Sequence, residues 1–418
     1  MSRTCPSCST TYGAGTFFCG ADGTIIIEDQ DPADFDPRLG RQLGGYIVAA
    51  RVADGAMGRV FEGRHPETKA RVAIKVLHDD VAKDDIAVER FKREYETAQE
   101  MDHENVVKVL EFGDTDEGSL FMTMEFLEGV ELGQVLGKGS LQAAARVVRV
   151  VCQTAQALDF AHSFGFIHRD LKPDNIFLCK TDEGDSVRIL DFGSVKLQLE
   201  MGAKLTAVGT TLGSPYYMSP EQATGAADVD QRTDVFALGA ILYEMLTDKV
   251  AFDGPNVAMI LMKIMNESPV PPSGINLECP ASLDDVVDKG IRKDKERRFG
   301  TAGDLAAAVI SSYGLEGSVE KWAATPESEI ATALTAATPA APRPFGESLA
   351  PAAAPAAASA PAAASAPAAA PAASADPARV SAAGEEYTLP GGNSGMGKVI
   401  GLVVGAAVVG GMLLYLMR

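Results

Sequence analysis

Between Asp170 and Asn175 the chain sets an acid, a cation and an amide: Asp170, Lys172 and Asn175. Phe166 and Ile167 precede them, and Ile176, Phe177 and Leu178 follow. Polar groups between two apolar anchors predict a loop pinned by buried neighbours and presenting chemistry. Sixteen residues after Asn175 comes Asp191-Phe192-Gly193, behind the short run Val187 to Leu190. Upstream, Gly55 and Gly58 stand three apart between strand-like runs. Without a Cβ the backbone there can close over phosphates, although such a pair is more often a plain hairpin. In Val72-Ala73-Ile74-Lys75, strand alternation puts Ala73 and Lys75 on one face. Lys75 can then reach under the glycine loop as a phosphate ligand; the bland alternative is a solvated edge charge.

These groups need elements to hold them. Ile47 to Val52 reads as a strand before the glycine loop, and Asp85 to Met101 as a helix with Ile86, Phe91, Tyr95, Ala98 and Met101 at helical spacing. Val106 to Phe112 and Leu120 to Glu125 are further strands, with a turn at Gly113 to Gly118. Ser140 is a candidate N-cap for a long helix over 141–164, ended by Gly165. That helix would be the floor beneath the 168–175 loop. A strongly apolar helix opens near Asp234, and helical segments at 256–267, 281–292 and 302–313 complete a helical lobe.

The run His168-Arg169-Asp170-Leu171-Lys172-Pro173-Asp174-Asn175 and the triplet Asp191-Phe192-Gly193 match the catalytic loop and metal-binding triplet of protein kinases. The chain resembles the eukaryotic-like (Hanks-type) Ser/Thr protein kinases, in its details most like the bacterial branch, over about residues 46–314. The resemblance implies an α+β, two-lobed protein-kinase fold: a small antiparallel β lobe with one helix, and a large, mainly helical lobe. It also implies ATP and Mg²⁺ (or Mn²⁺) as cofactors and Ser/Thr hydroxyls of proteins as substrates. By the same resemblance Lys75, held by Glu94, would bind the α/β-phosphates; Glu89, Glu96 and Glu100 are the competing acids. Asn175 and Asp191 would hold the metal, Asp170 would accept the substrate proton, and Lys172 would steady the γ-phosphate. Val52, Ala53, Gly55, Gly58, Val60, Ala73, Met124, Glu125 and Leu127 would surround the nucleotide, with Met124 behind the adenine and backbone groups of Glu125 and Leu127 at its edge. Ala53 stands where the family has a first glycine. Arg169 implies control by phosphorylation of the following segment, with Thr206, Thr210 and Thr211 as acceptors, and Ser214 replaces a family Thr near Asp170 and Lys172. Asp234 resembles the buried acid bracing the catalytic loop. Arg298 resembles the partner of Glu221, with an exposed place in the Arg292-to-Arg298 charge run as its alternative. A pseudokinase scaffold is the competing function; its mark would be a lost catalytic residue, and Lys75, Glu94, Asp170, Asn175 and Asp191 are all present.

The remainder of the chain is of another kind. Residues 1–30 carry Cys5-Pro6-Ser7-Cys8 and Cys19-Gly20-Ala21-Asp22. Three thiolates and a carboxylate can close a tetrahedral Zn²⁺ site, so the unit resembles a zinc ribbon with Asp22 in place of a fourth Cys. A head with inert thiols is the alternative. Too short to build a core, the unit would fold on metal binding. Residues 31–45 read as a linker, and 315–397, with long Ala/Pro/Ser runs, as a disordered one. Val399 to Met417 is nineteen residues without a charge, between Lys398 and Arg418. At 1.5 Å per residue that is about 28 Å, near the thickness of a bilayer core. A buried core helix is the alternative, but after a disordered linker a transmembrane helix over 398–418 is expected, a single-pass C-terminal anchor with the kinase domain in the cytoplasm. Gly397, Gly401 and Gly405 line one helix face, for a homodimer or equally for generic packing. The net charge of −20 argues against nucleic acid as a partner. Six Cys without a paired framework suit a reducing compartment.

Overall fold

The computed structural model describes residues 2–29, 35–55, 57–192 and 215–339. Thr206, Thr210, Thr211, Ser214 and the expected span at 398–418 lie outside the described residues. Among the described residues no helix is long and apolar enough to cross a membrane.

The chain opens with a small antiparallel sheet, ordered β2-β1-β3, from β1 (Arg3–Thr4), β2 (Thr11–Tyr12) and β3 (Ile27–Glu28). A six-stranded antiparallel sheet follows. Its strands are β4 (Gln42–Leu43), β5 (Tyr46–Asp54), β6 (Gly58–Arg64), β7 (Arg71–Leu77), β8 (Val109–Asp114) and β9 (Leu120–Glu125), in the order β4-β5-β6-β7-β9-β8. The expected linker at 31–45 is therefore shorter than read: its described part supplies β4, and a buried Asp36 accepts from Arg59 at 2.8 Å. Along β7 burial alternates, Val72, Ile74 and Val76 inward and Ala73 and Lys75 toward the other face. Helix α1 (Asp85–Glu100) starts where Asp84 accepts from Ile86 N at 3.0 Å, and packs Phe91 and Ala98 against Leu77, Leu120 and Met122. Gly58 is needed at a strand crossing, since a Cβ there would lie 2.2 Å from Val76 O.

The second lobe is built on α2 (Ala144–Ser163), of which most residues are buried. It begins later than 141, and Ala143, still extended at ψ 140°, takes the N-cap position instead of Ser140. Gly165, at φ +79°, ends it as expected. A three-stranded sheet of β10 (Gly129–Glu131), β11 (Ile176–Thr181) and β12 (Gly184–Ile189) lies against α2. Then come α3 (Pro220–Ala223), α4 (Arg232–Thr247), α5 (Val257–Asn266), α6 (Ser282–Gly290) and α7 (Ala302–Ser312). Every residue of α4 after Arg232 is buried, so it is the axis of the lobe. The lobes are joined behind the cleft at Asn105, whose Nδ2 donates to Val187 O at 3.0 Å while Ile189 N donates to Asn105 O at 2.8 Å.

The stretch read as linker from 315 begins folded. Residues Val319–Ala324 form α8 and Glu327–Ala336 form α9. Ser318 caps α8, Trp322 and Ile330 are buried, and Gln153 of α2 donates to Ala323 O at 2.9 Å. The proline spacing that breaks an alanine helix starts only at Pro339; before it, Pro326 sits at a helix start, where proline is tolerated.

Arg298 is buried, not part of an exposed charge run. It donates to both oxygens of Glu221, at 2.6 and 2.7 Å, and to Arg292 O at 2.7 Å and Arg232 O at 2.9 Å. Removing one partner of a buried pair strands the other charge, at about 3–5 kcal/mol. Arg298→Met should lower unfolding stability by about that amount in urea titration, whereas the exposed Arg297→Met should change it by less than about 0.5 kcal/mol.

Candidate active site

Two clusters meet at the segment that leads from Leu190 into Asp191. In the first, Lys75 Nζ lies 2.7 Å from Glu94 Oε1 and 2.9 Å from Asp191 Oδ1. The register of β6, β7 and β9 carries Lys75, opposite Val60 and Met122, and α1 carries Glu94. The competing acids lie elsewhere; Glu89 pairs with Arg93 on the exposed side. Burial would push the Lys75 ammonium down, but Asp191 and Glu94 hold it above its ordinary value. Burial drives Glu94 up to about 8 against the pull of Lys75. It also works against the charge of Asp191, where Lys75 outweighs it and keeps that carboxyl below the usual range. Asp191 has a left-handed backbone, φ +56°, and is followed by Phe192, buried with its ring centroid 4.7 Å from that of His168. A non-glycine residue in this region is strained and persists only where its surroundings dictate it.

The second cluster is the 168–175 loop. Lys172 Nζ lies 3.0 Å from Asp170 Oδ2, and Asn175 Nδ2 donates to Asp170 O at 2.8 Å. With Nδ2 committed, the amide's Oδ1 is the atom able to meet a cation. Asn175 O also accepts from Leu190 N at 2.9 Å, which ties the loop to the strand leading into Asp191. An amide oxygen and a carboxylate are hard oxygen donors, the set that suits Mg²⁺ together with waters and phosphate oxygens.

Asp234 positions this loop. Fully buried, it accepts from His168 N at 2.8 Å and from Arg169 N at 2.7 Å. Arg169 itself is left-handed, φ +58°. His162 Nε2 meets the same carboxylate at 2.8 Å. His162 belongs to no motif in the sequence; its place at the end of α2, six residues before His168, is the one available signal. Gln222 also lies outside the motifs, and donates to Arg169 O at 2.6 Å. Ser219 caps α3 in a capping box with Gln222 and contacts Thr233 Oγ1 at 2.6 Å.

Between the lobes, Ala73 pairs with Met124 across β7 and β9, and Ala53 with Val60 across β5 and β6. Val52 and Ala53 are exposed, while Met124, Glu125 and Leu127 are half-buried. Glu125 N donates to Lys108 O at 2.9 Å, so its carbonyl is the group it can offer an adenine edge. Gly55 N donates to Gly58 O at 2.9 Å, closing the β5–β6 hairpin.

A separate cluster lies in the N-terminal unit. Cys5, Cys8, Cys19 and Asp22 bring their ligand atoms within 4.8 Å of one another. Cys8 Sγ and Cys19 Sγ are 3.4 Å apart, and Cys5 Sγ is 3.9 Å from Asp22. Tetrahedral bonds of about 2.0–2.3 Å would set such atoms about 3.5–3.8 Å apart. Cys8 N donates to Cys5 Sγ at 3.5 Å, and Tyr12 Oη lies 3.1 Å from Cys19 Sγ.

Residues 46–310 match the protein kinase domain family. The serine/threonine-protein kinase pkn3 of Myxococcus xanthus is 39% identical over 244 residues, 57% of this chain and 44% of its own length. The serine/threonine-protein kinase PknB of Mycobacterium tuberculosis is 35% identical over 274 residues, 65% of this chain and 43% of its own. The chain thus spans less than half the length of these curated relatives. The crystal structure of the Mycobacterium tuberculosis PknI kinase domain is similar at a TM-score of 0.52 with 28% identity, covering 65% of this chain and 97% of that one.

His162 supplies a pH test of the loop's brace. Burial would lower it, but the carboxylates of Asp159 and Asp234 hold it up at about 9. The geometry favours Asp234, since Nδ1 is 3.9 Å from Asp159, an ion-pair distance without a hydrogen bond. The unfolded value is about 6.5. The folded state therefore holds a proton that the unfolded state releases between about 6.5 and 9, and stability falls as pH rises through that window. Denaturant titrations should show this decline in the native chain and a flatter profile in His162→Gln.

Proposed function

The chain belongs to the protein kinase family, and on that premise we propose that it is an ATP-dependent protein Ser/Thr kinase acting on protein hydroxyls. The observation that carries this reading is the pairing of two sites. Asp191 of the Lys75–Glu94–Asp191 cluster follows Leu190, whose N–H donates at 2.9 Å to Asn175 O of the loop that Asp234 braces. Lys75, oriented by Glu94, meets the α/β-phosphates of ATP. Asn175 and Asp191 would hold Mg²⁺. When bound, the metal neutralises charge on the phosphate oxygens. Asp170 orients the substrate hydroxyl and takes its proton as the oxygen–phosphorus bond forms and the bond to the ADP oxygen breaks. Lys172, 3.0 Å from Asp170, steadies the transferred group. Little covalent work is asked of the protein; positioning and charge neutralisation carry the rate. The adenine rests on Val52, Ala73 and Met124, with Glu125 O and the Leu127 backbone at its edge.

We further propose activation by autophosphorylation at Thr206, Thr210 or Thr211, with Arg169 meeting the phosphate. The uncharged stretch 399–417 supports a single membrane span, the glycines at 397, 401 and 405 a homodimer within it, and the ATP requirement a cytoplasmic catalytic domain. The near-tetrahedral spacing at Cys5, Cys8, Cys19 and Asp22 supports Zn²⁺ in a ribbon-like unit.

The test uses the full chain in detergent with labelled ATP and a generic protein substrate. Lys75→Met and Asp170→Asn should each cut transfer to Ser/Thr by at least about 100-fold, and mass spectrometry should find no loop phosphate in Asp170→Asn. Transfer unchanged in both variants would overturn the reading, and equal loop phosphate would remove autophosphorylation from it.

A further inference from the structure

The N-terminal unit meets the small lobe where β3 lies against β5 and through two rings, Phe18, 5.2 Å from the Arg64 guanidinium carbon, and Phe17, the more engaged of the two. Phe17, two residues before Cys19, has three guanidinium carbons near its centroid: Arg3 at 4.0 Å, Arg64 at 4.2 Å and Arg71 at 5.4 Å. Arg3 belongs to the unit itself. Arg64 and Arg71 face each other across β6 and β7. Buried Glu62 serves both, accepting from Arg64 Nε at 2.8 Å and Arg71 Nη2 at 3.2 Å. Arg3 Nη1 is buried without a hydrogen-bond partner among the described residues, so the ring face is what meets that charge. On its other side Arg71 stacks 3.7 Å over the Phe126 ring and pairs with Glu128. Phe126 stands between Glu125 and Leu127, the residues assigned to the adenine edge.

What holds Phe17 in place is a very small core. Its buried members are Cys5, Cys19 and Ile26, with Tyr12 packed on them. Two of the three, Cys5 and Cys19, belong to the cluster proposed to hold Zn²⁺. Phe17 O accepts from Ile26 N at 3.0 Å, so the ring's backbone hangs on that same core. A unit of this size draws its folding energy from the metal. With the metal gone, the core loses its organising bonds and the ring is no longer presented to Arg64 and Arg71.

We infer that Zn²⁺ at Cys5, Cys8, Cys19 and Asp22 controls nucleotide affinity, by presenting Phe17 to an Arg64–Arg71–Phe126 relay that ends between the lobes. This deepens the zinc and adenine assignments made above and rests on both. Coupling between two sites is reciprocal, so bound nucleotide must tighten zinc by the factor by which zinc tightens nucleotide.

The experiment takes the full chain in detergent, before and after removal of metal by a chelator. Zinc content, thiol state and the dissociation constant of a non-hydrolysable ATP analogue are measured. We expect one zinc per chain, reduced thiols, and nucleotide binding weakened at least about five-fold on zinc removal, the low end of allosteric couplings. Competition with the chelator should show zinc held tighter by the same factor when the analogue is saturating. Phe17→Leu keeps an apolar side chain but not the ring, and should retain zinc while its nucleotide affinity no longer responds to it. Zinc bound stoichiometrically, with nucleotide affinity the same with and without it, would overturn the coupling and leave the zinc assignment standing. A chain without zinc, or one with a Cys8–Cys19 disulfide in its place, would overturn both. Failure to bind nucleotide in either metal state would overturn the adenine assignment instead.

Discussion

The large lobe depends on one buried carboxylate. Asp234 has no exposure to solvent, and its two oxygens take the backbone N–H groups of His168 and Arg169 and the ring of His162. Leaving such a group unpaired in the interior would be costly, so the backbone of the loop and the end of α2 are drawn to it. Arg169 in turn adopts a left-handed backbone that a long side chain does not choose unaided. The turn at Arg169 brings Asp170 and Asn175 to the cleft. Helix α4 can offer Asp234 there only because nearly all of its other residues are buried and fix its rotation.

The small lobe works by a different balance. One lysine is shared by two carboxylates, an arrangement in which burial and charge oppose one another at every member. Opposite charges hold Lys75 above and Asp191 below their ordinary values, while burial pushes Glu94 up against the pull of Lys75. A cation bound at Asp191 would relieve that crowding, leaving Lys75 to Glu94 and to phosphate. The side chain and carbonyl of Asn105, bonded to Val187 O and Ile189 N, tie the small lobe to the strand that leads into Asp191. The clamp at Glu221 and Arg298 ties the far side of the large lobe together.

Much of this could be read in the sequence because local chemistry and long-range geometry agreed. Alternation in Val72 to Lys75 set the strand face, helical spacing set α1, and the order of the polar motifs implied which lobes would meet. What was missed has physical reasons. His162 looks like one more helical residue until Asp234, seventy-two positions later, is brought beside it. Residues 319–336 are rich in alanine and were read with the linker; their anchors are Trp322 and Ile330, too sparse to show a period. The helix at 144 starts without a side-chain cap, so Ser140 was a plausible but false marker. In the N-terminal unit, the gathering of Cys5, Cys8, Cys19 and Asp22 could be read from their spacing. The place of Phe17 among Arg3, Arg64 and Arg71 could not, since it needs two sheets in contact.

The claim at the centre of this structure is that Asp234 positions the chemistry without taking part in it. Asp234→Asn tests it most directly, because the amide keeps the shape but offers one acceptor atom where two are used. Steady-state transfer to a protein substrate should show kcat falling by about 100-fold or more, the scale lost with a misplaced general base, while KM for ATP and the far-UV circular dichroism stay near their native values. A folded Asp234→Asn chain with native kcat would contradict it.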